Sequence, residues 1–145
     1  MRSVRMKMKP SIAAWTAIIL FFYSLASAES MLIVNKSVEE TTLSKEDVNL
    51  IFLGKKTKWA NGQKINVAVL KQGKTHESFL NIYMNKTPSK YASFWKIAIV
   101  SGTGFPPKFF QNESDLVKYV AEKQGAIGYI SPGAEPGDTK KIEVE

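Results

Sequence analysis

The sequence predicts one α/β domain of three layers, in which a mainly parallel sheet lies between helices. Short apolar runs alternate with longer segments of helical periodicity, as is typical of such domains. The run from Ile65 to Leu70 is apolar at all but one position and rich in β-branched residues, which indicates a strand covered on both faces. Residues 29–145 are enough for one domain and too few for two substantial ones.

The first 28 residues have the pattern of a secretory signal peptide. Basic residues at positions 2, 5, 7 and 9 precede an apolar stretch at 12–25, and Ala26-Ser27-Ala28 matches the small-residue cleavage pattern. The apolar stretch is short for a membrane-spanning helix, which needs about 20 residues. We therefore expect cleavage before Glu29, export to a bacterial periplasm, and no membrane span in the processed protein. A retained anchor is the alternative.

Charge and cysteine content narrow the range of partners. The whole chain has a formal net charge of +7, from 20 basic and 13 acidic residues. The four basic residues near the N-terminus account for part of it and leave +3 for residues 29–145. Such a balance gives no support for a nucleic-acid partner. The chain has no cysteine, so it has neither a disulfide nor a thiolate site.

The first half of the domain contains two predicted strands and two helix starts. A short apolar strand is predicted from Met31 to Val34, and the central strand begins at Ile65. Ser44 is predicted to cap the first helix, and Gly54 suits the left-handed residue that ends it. A second helix is predicted to begin at Thr75.

The second half contains two further helices and two strands. Thr87-Pro88 opens the third helix, whose predicted apolar face consists of Tyr91, Phe94, Trp95, Ala98 and Ile99. A Gly/Pro-containing loop follows at 101–107, and the fourth helix begins at Asn112 or Ser114. The last strands are predicted at 126–130 and around Ile142 and Val144, the latter as an edge strand.

The best candidate for a binding site is the loop after the central strand. Lys71, Gly73 and Lys74 lead into a helix whose first backbone N–H groups, with the Thr75 hydroxyl, can hold an oxyanion. In open α/β sheets, ligands bind beyond the carboxyl ends of the strands. The alternative is an ordinary helix start capped by Thr75, with Lys74 in solvent. Glu77 opposes tight anion binding, because its carboxylate already complements the helix dipole.

His76 is the only histidine and belongs to the same candidate anion site. It can titrate near neutrality and contact an anion, although we favour the alternative of a surface residue in the first helical turn. One histidine without cysteine makes neither a metal site nor a nucleophile with an adjacent base. We therefore expect no metal, no cofactor and no catalysis. Trp59 is expected in the core, with solvated lysines around it.

Three motifs resemble those of phosphate-type periplasmic substrate-binding proteins. The run IFLGKKTKW at 51–59 is similar to a signature in which a helix ends in Ile-Phe-x-Gly-Lys and a tryptophan follows. The run LKQGKTHESF at 70–79 lies where that family has its Ser-Gly-Thr phosphate-binding box, and GAIGYI at 125–130 resembles a later signature. The resemblance covers nearly all of residues 29–145. It implies one lobe of a type 2 periplasmic-binding-protein-like fold.

The resemblance implies a function, with departures from the family pattern. Family members have two lobes that close on the ligand, whereas this chain resembles one lobe. Thr75 matches the threonine of the box, but Gly73 stands at the serine position and Lys74 at the second glycine. The arginine and aspartate that precede the family's box have no clear match, which leaves Lys71 to supply charge.

The function implied is an exported, non-catalytic module that binds phosphate or another small oxyanion weakly, with an envelope or transporter protein as a further partner. The alternative is a periplasmic accessory protein that kept the fold and lost the ligand.

Overall fold

The computed structural model describes residues 29–145, and the expected signal peptide at 1–28 lies outside the described residues. This part of the chain contains six strands and four helices. In order they are β1 (Met31–Val34), β2 (Thr42–Leu43), α1 (Lys45–Phe52), β3 (Asn66–Leu70), α2 (Lys74–Met84), α3 (Pro88–Ser101), β4 (Lys108–Phe110), α4 (Glu113–Glu122), β5 (Ala126–Ile130) and β6 (Lys140–Val144).

All six strands form one mixed sheet with the order β2-β6-β1-β5-β3-β4. The pairs β3/β4, β3/β5 and β2/β6 are parallel, whereas β1 is antiparallel to both of its neighbours. The predicted α/β class with a mainly parallel sheet is therefore confirmed. The prediction that the C-terminal strand lies at the edge is wrong, because β2 covers it by pairing Leu43 with Val144.

Alternation of side chains along β5 shows the three layers. A Cβ added to Gly128 would lie 2.7 Å from a methyl group of Leu116 and 3.2 Å from one of Val120, so this face of the sheet packs closely against α4. The next residue, Tyr129, points to the opposite face and contacts the rings of Phe52 in α1 and Phe79 in α2. Helices thus cover both faces of the central strands, as predicted.

The predicted helix starts are confirmed at three of the four helices. Ser44, Thr87 and Asn112 each accept a hydrogen bond from the backbone N–H three residues later. The apolar face predicted for α3 is only partly correct. Tyr91, Trp95 and Ala98 are buried, whereas Ile99 is 54% exposed, because it lies beside the narrow stripe that this helix buries.

Trp59 connects two of the motifs that were singled out in the sequence. Its side chain is 3% exposed, which confirms the predicted burial. The indole N–H donates a 2.9 Å hydrogen bond to the carbonyl oxygen of Gly125, at the start of the GAIGYI run. Gly125 itself has φ +73°, and a Cβ there would lie 2.1 Å from the backbone oxygen of Lys64. The two motifs therefore depend on each other for a close backbone contact.

Tyr129 joins β5 to the elements on either side of it. Its ring stacks on Phe79 with centroids 3.9 Å apart and planes within 6°. Its buried hydroxyl accepts a 3.1 Å hydrogen bond from the Leu70 N–H at the end of β3. The same oxygen lies 2.5 Å from His76 Nδ1 in α2. One side chain thus fixes α2 relative to the carboxyl ends of two parallel strands.

We predict that Tyr129→Phe lowers the free energy of unfolding by about 1–3 kcal/mol, because it leaves two buried polar atoms without a partner while the stacked ring remains. Urea unfolding measures the loss. Tyr119→Phe is the matched control, since that half-buried hydroxyl has no hydrogen-bond partner among residues 29–145. It should change stability by less than about 0.5 kcal/mol. Equal losses in the two variants would show that the Tyr129 hydroxyl does not hold α2.

Candidate functional site

The three parallel strands β5, β3 and β4 end at the same edge of the sheet. The chain leaves β3 through the loop 71–73 and enters α2, and it leaves β4 at Phe110 and soon enters α4. The N-termini of both helices therefore lie near this edge. Partial positive charge from the free N–H groups of a helix N-terminus attracts anions. The edge is consequently the place in the described domain where an anion site is expected.

Gly73 sets the start of α2. It is the residue before the helix and has φ +105° and ψ 169°, a conformation that is almost restricted to glycine. No side chain caps the helix, so the alternative in which Thr75 caps it is wrong. Because Thr75 is already the second residue of α2, its hydroxyl cannot occupy the capping position before the helix.

The start of α2 leaves three backbone donors available. The first turn is closed by the Glu77 N–H, which donates to the Gly73 carbonyl oxygen at 3.0 Å. Within residues 29–145, no acceptor lies in hydrogen-bond geometry with the N–H groups of Lys74, Thr75 and His76. Such groups are satisfied by water or by a ligand. This is the arrangement on which oxyanion binding at a helix N-terminus depends.

The five predicted site residues lie together in the chain but differ in exposure. Lys71, Gly73 and Lys74 are exposed, and Thr75 is half-buried. Neither lysine has a carboxylate within 4.0 Å in the described part of the chain. Both ammonium groups are therefore available to an anion, although water competes with them.

His76 is buried, with 2% of its surface exposed, so the predicted surface position is wrong. The helical turn places its ring inward, parallel to the Tyr129 ring at a centroid distance of 6.2 Å. Since the Tyr129 oxygen accepts the Leu70 N–H, we assign its hydroxyl proton to a hydrogen bond with His76 Nδ1. Burial lowers the pKa of His76 from 6.5 to about 4, because the charged ring would lose its hydration. His76 is therefore neutral at pH 7 and brings no positive charge to an anion.

A carboxylate at this edge was not identified from the sequence. Glu113, in the first turn of α4, accepts two hydrogen bonds from Ser131, one from its N–H and one from its hydroxyl, both of 2.8 Å. These bonds hold the residue that follows β5 against the start of α4. They also place a negative charge close enough to contribute to the raised pKa of Tyr129, whose main cause is burial. The only local sequence signal was the serine directly after the GAIGYI strand.

Two further classes of feature were searched for in residues 29–145. No group of three or more metal-ligating side chains is found there. None of the helices within this range has the length and apolar character needed to cross a membrane.

We predict that lowering the pH from 6.5 to 5 decreases the free energy of unfolding by about 1.6 kcal/mol through His76 alone. In this window the imidazole of the unfolded chain takes up a proton, whereas the folded imidazole, with a pKa of about 4, stays neutral. Protons therefore favour the unfolded state. Urea unfolding at several pH values measures the slope.

The matched variant for this experiment is His76→Gln, which removes the only histidine and keeps a polar group near Tyr129. It should lose the slope that the wild type shows between pH 6.5 and 5. Identical slopes in the two proteins would mean that His76 is protonated freely in the folded state.

No protein-family model matches the sequence, and no characterised protein sequence matches it significantly. The fold, however, is similar to that of several solved structures. An ABC-type phosphate transport receptor from Vibrio cholerae aligns with a TM-score of 0.55 and 20% identity over 80% of this chain and 46% of its own. PstS from Borrelia burgdorferi aligns with a TM-score of 0.63 and 15% identity, over 81% of this chain and 47% of its own. A structure described as a phosphate ABC transporter substrate-binding protein with bound phosphate, from Clostridium perfringens, aligns with a TM-score of 0.61 and 19% identity. That alignment covers 80% of this chain and 44% of the other.

This chain thus spans less than half the length of the structures that it matches. Sequence identities of this size show the fold alone. The alignment of most of one chain with under half of the other is the relation expected between a single lobe and a two-lobed protein. The described domain therefore has the fold of one lobe of the phosphate ABC transporter binding proteins.

Proposed function

We propose that residues 29–145 are an exported, non-catalytic binding module that holds phosphate or another small oxyanion at the N-terminus of α2. The observation that carries this proposal is the uncapped helix start at Gly73, with three backbone N–H groups free of protein acceptors in the described chain. It lies at the carboxyl end of a central parallel strand, where α/β folds bind ligands. The bound phosphate in the similar Clostridium perfringens structure supports this choice of ligand.

The chemistry of the site favours weak binding. Lys71 and Lys74 are exposed, so each contact with an anion is worth on the order of 1 kcal/mol in water. His76 is neutral at pH 7, and Glu113 and Glu77 bring negative charge to the same region. The backbone N–H groups and the Thr75 hydroxyl should therefore set the geometry, while Lys74 mainly sets the salt dependence. We expect an affinity no tighter than high micromolar.

A single lobe leaves the anion on an open face of the protein. The described residues cover 44–47% of the similar phosphate-binding structures, so any second surface that encloses the ligand lies outside these residues. An envelope or transporter protein is the partner that this arrangement suggests. Exclusion of water by such a partner would strengthen each polar contact.

The second candidate function is an interaction protein that kept the fold and lost the ligand. The observation in its favour is that the Glu113 carboxylate already accepts hydrogen bonds from the N–H and hydroxyl of Ser131, at the edge where the anion would bind. Co-purification with an envelope protein, together with no response to phosphate or sulfate, would favour this function over the first.

We predict that Thr75→Ala abolishes phosphate binding, since it removes the one neutral side-chain donor of the site. Lys74→Ala should weaken binding and reduce its dependence on ionic strength. Lys74→Gly should bind no worse than Lys74→Ala, because it restores the residue of the resembling box. Calorimetric titration with phosphate at two ionic strengths measures all three. Nanomolar binding by the monomer, or binding indifferent to Thr75, would place the site elsewhere.

Gly73→Ala and Gly133→Ala form a matched pair for the same titration. Both glycines have positive φ, and a Cβ at either position meets no atom within 4 Å, so each change strains the backbone without a clash. Each should cost about 1–3 kcal/mol of stability. Only Gly73→Ala should impair phosphate binding, since only that residue aims the first N–H groups of α2. Equal loss of binding in both variants would show a general effect of destabilisation.

We also propose that the protein is exported to a periplasm and cleaved after residue 28. Mass spectrometry of the protein recovered from the periplasmic fraction should give a chain that begins at Glu29. Mutation of Ala28 to a large residue should block processing, because the pattern requires small side chains before the cut. An intact Met1 in washed membranes would contradict cleavage.

A further inference from the structure

The large apolar residues that are exposed on the described domain occur in one short segment. They are Ile97, Ile99, Val100 and Phe105, with exposed fractions of 68%, 54%, 85% and 89%. All four lie within the end of α3 and the loop that follows it. We call them the apolar patch. Ile97 and Val100 are three residues apart and lie side by side on α3, whereas Ile99 is about 100° around the helix from Val100. Single exposed apolar side chains are ordinary, but several of them at one helix end mark a candidate surface for another molecule.

Helical geometry places lysines beside this patch. Lys96 is four residues before Val100 and three before Ile99, so it lies next to both on the outer face of α3. Lys90 is almost two turns before Ile97 on the same side. In the loop, Lys64 Nζ lies 6.0 Å from the centre of the Phe105 ring. Basic groups therefore lie among the exposed apolar side chains.

The segment that carries the patch has no acidic residue of its own. Residues 88–110 contain three lysines and no Asp or Glu. A groove of about 730 Å³ beside Phe105 is lined by four lysines and no acidic residue. Lys56 is paired with Asp47 at 3.1 Å, and the other three are Lys58, Lys64 and Lys108. In residues 29–145, none of these three ammonium groups has a carboxylate within 4.0 Å. This end of the domain is thus both apolar and positively charged.

We propose that the apolar patch and its lysines form a docking surface for a lipid bilayer that contains anionic phospholipids. Val100 and Phe105 project almost completely from the protein, and a bilayer accepts projecting side chains without a matching shape. Apolar side chains that enter the acyl boundary, with lysines at the level of the headgroups, are the combination that binds such membranes reversibly. A rigid protein partner would need a concave, acidic counterpart to the same projecting residues.

The docking surface is separate from the proposed anion site. The groove beside Phe105 is lined by residues 65–67, which lead into β3 and begin it, whereas the anion site follows Leu70 at its other end. The five residues of β3 place roughly 15 Å between the two regions. Docking on lipid would consequently leave the start of α2 uncovered.

The test uses the protein as cells process it, co-sedimented with vesicles of phosphatidylcholine, with or without phosphatidylglycerol. Wild-type protein should bind only vesicles that contain phosphatidylglycerol. V100S/F105S should lower the partition coefficient tenfold or more, because two apolar side chains no longer enter the bilayer. K64Q/K96Q should lower it roughly fivefold for each lysine removed. Unchanged binding in either variant would overturn the proposal.

Two controls make the result specific. K45Q/K141Q removes the same charge from exposed positions outside the patch and should change binding twofold or less. Inorganic phosphate added at constant ionic strength should not release the protein from vesicles. Release would show that the lysines bind free phosphate, and it would contradict the proposed lipid-docking surface. No vesicle binding at all, or a self-association of the wild type that V100S/F105S abolishes, would also overturn it. All substituted side chains are exposed, and unchanged melting temperatures would confirm folding of each variant.

Discussion

The arrangement of the domain depends on the buried side chain of Tyr129. Its hydroxyl bonds to the end of β3 and to His76 in α2, while its ring stacks on Phe79. A buried hydroxyl is costly unless its donor and acceptor are both used, and here both have partners. The same contacts that stabilise the core therefore fix where the N-terminus of α2 lies. The position of the proposed anion site is thus a consequence of core packing.

Burial of His76 has an electrostatic consequence for that site. A protonated ring at this position would lose hydration without a carboxylate partner, so its pKa falls to about 4 and the ring is neutral. The histidine then contributes to packing and to the hydrogen bond with Tyr129, and the positive charge has to come from exposed Lys71 and Lys74. Mobile surface lysines discriminate poorly between anions, whereas backbone N–H groups have fixed directions. Geometry in this site therefore comes from Gly73 and the helix, and attraction comes from the lysines.

Much of the fold could be predicted because its signals are local. The caps at Ser44 and Thr87, the left-handed Gly54 and the buried Trp59 all follow from short patterns. Strands β2 and β4 were missed, since two or three residues are too few for periodicity to show. Tertiary contacts decided the remaining errors. The sequence did not reveal the inward position of His76, the Glu113–Ser131 pair or the pairing of β2 with β6. Each depends on contacts between different elements of the fold.

The two ends of β3 differ in the chemistry of the groups that they expose. At the carboxyl end, the first N–H groups of α2 have no acceptor among residues 29–145, which is the basis of the proposed anion site. At the amino end, α3 finishes at Ser101 and the chain turns through a proline-containing loop. Within residues 29–145, nothing buries the apolar side chains of this region. Exposed apolar side chains lower the solubility of a small domain unless another molecule or a membrane covers them. A domain docked through that end would present its anion site away from the contact, open to a ligand or to a second protein that completes the enclosure.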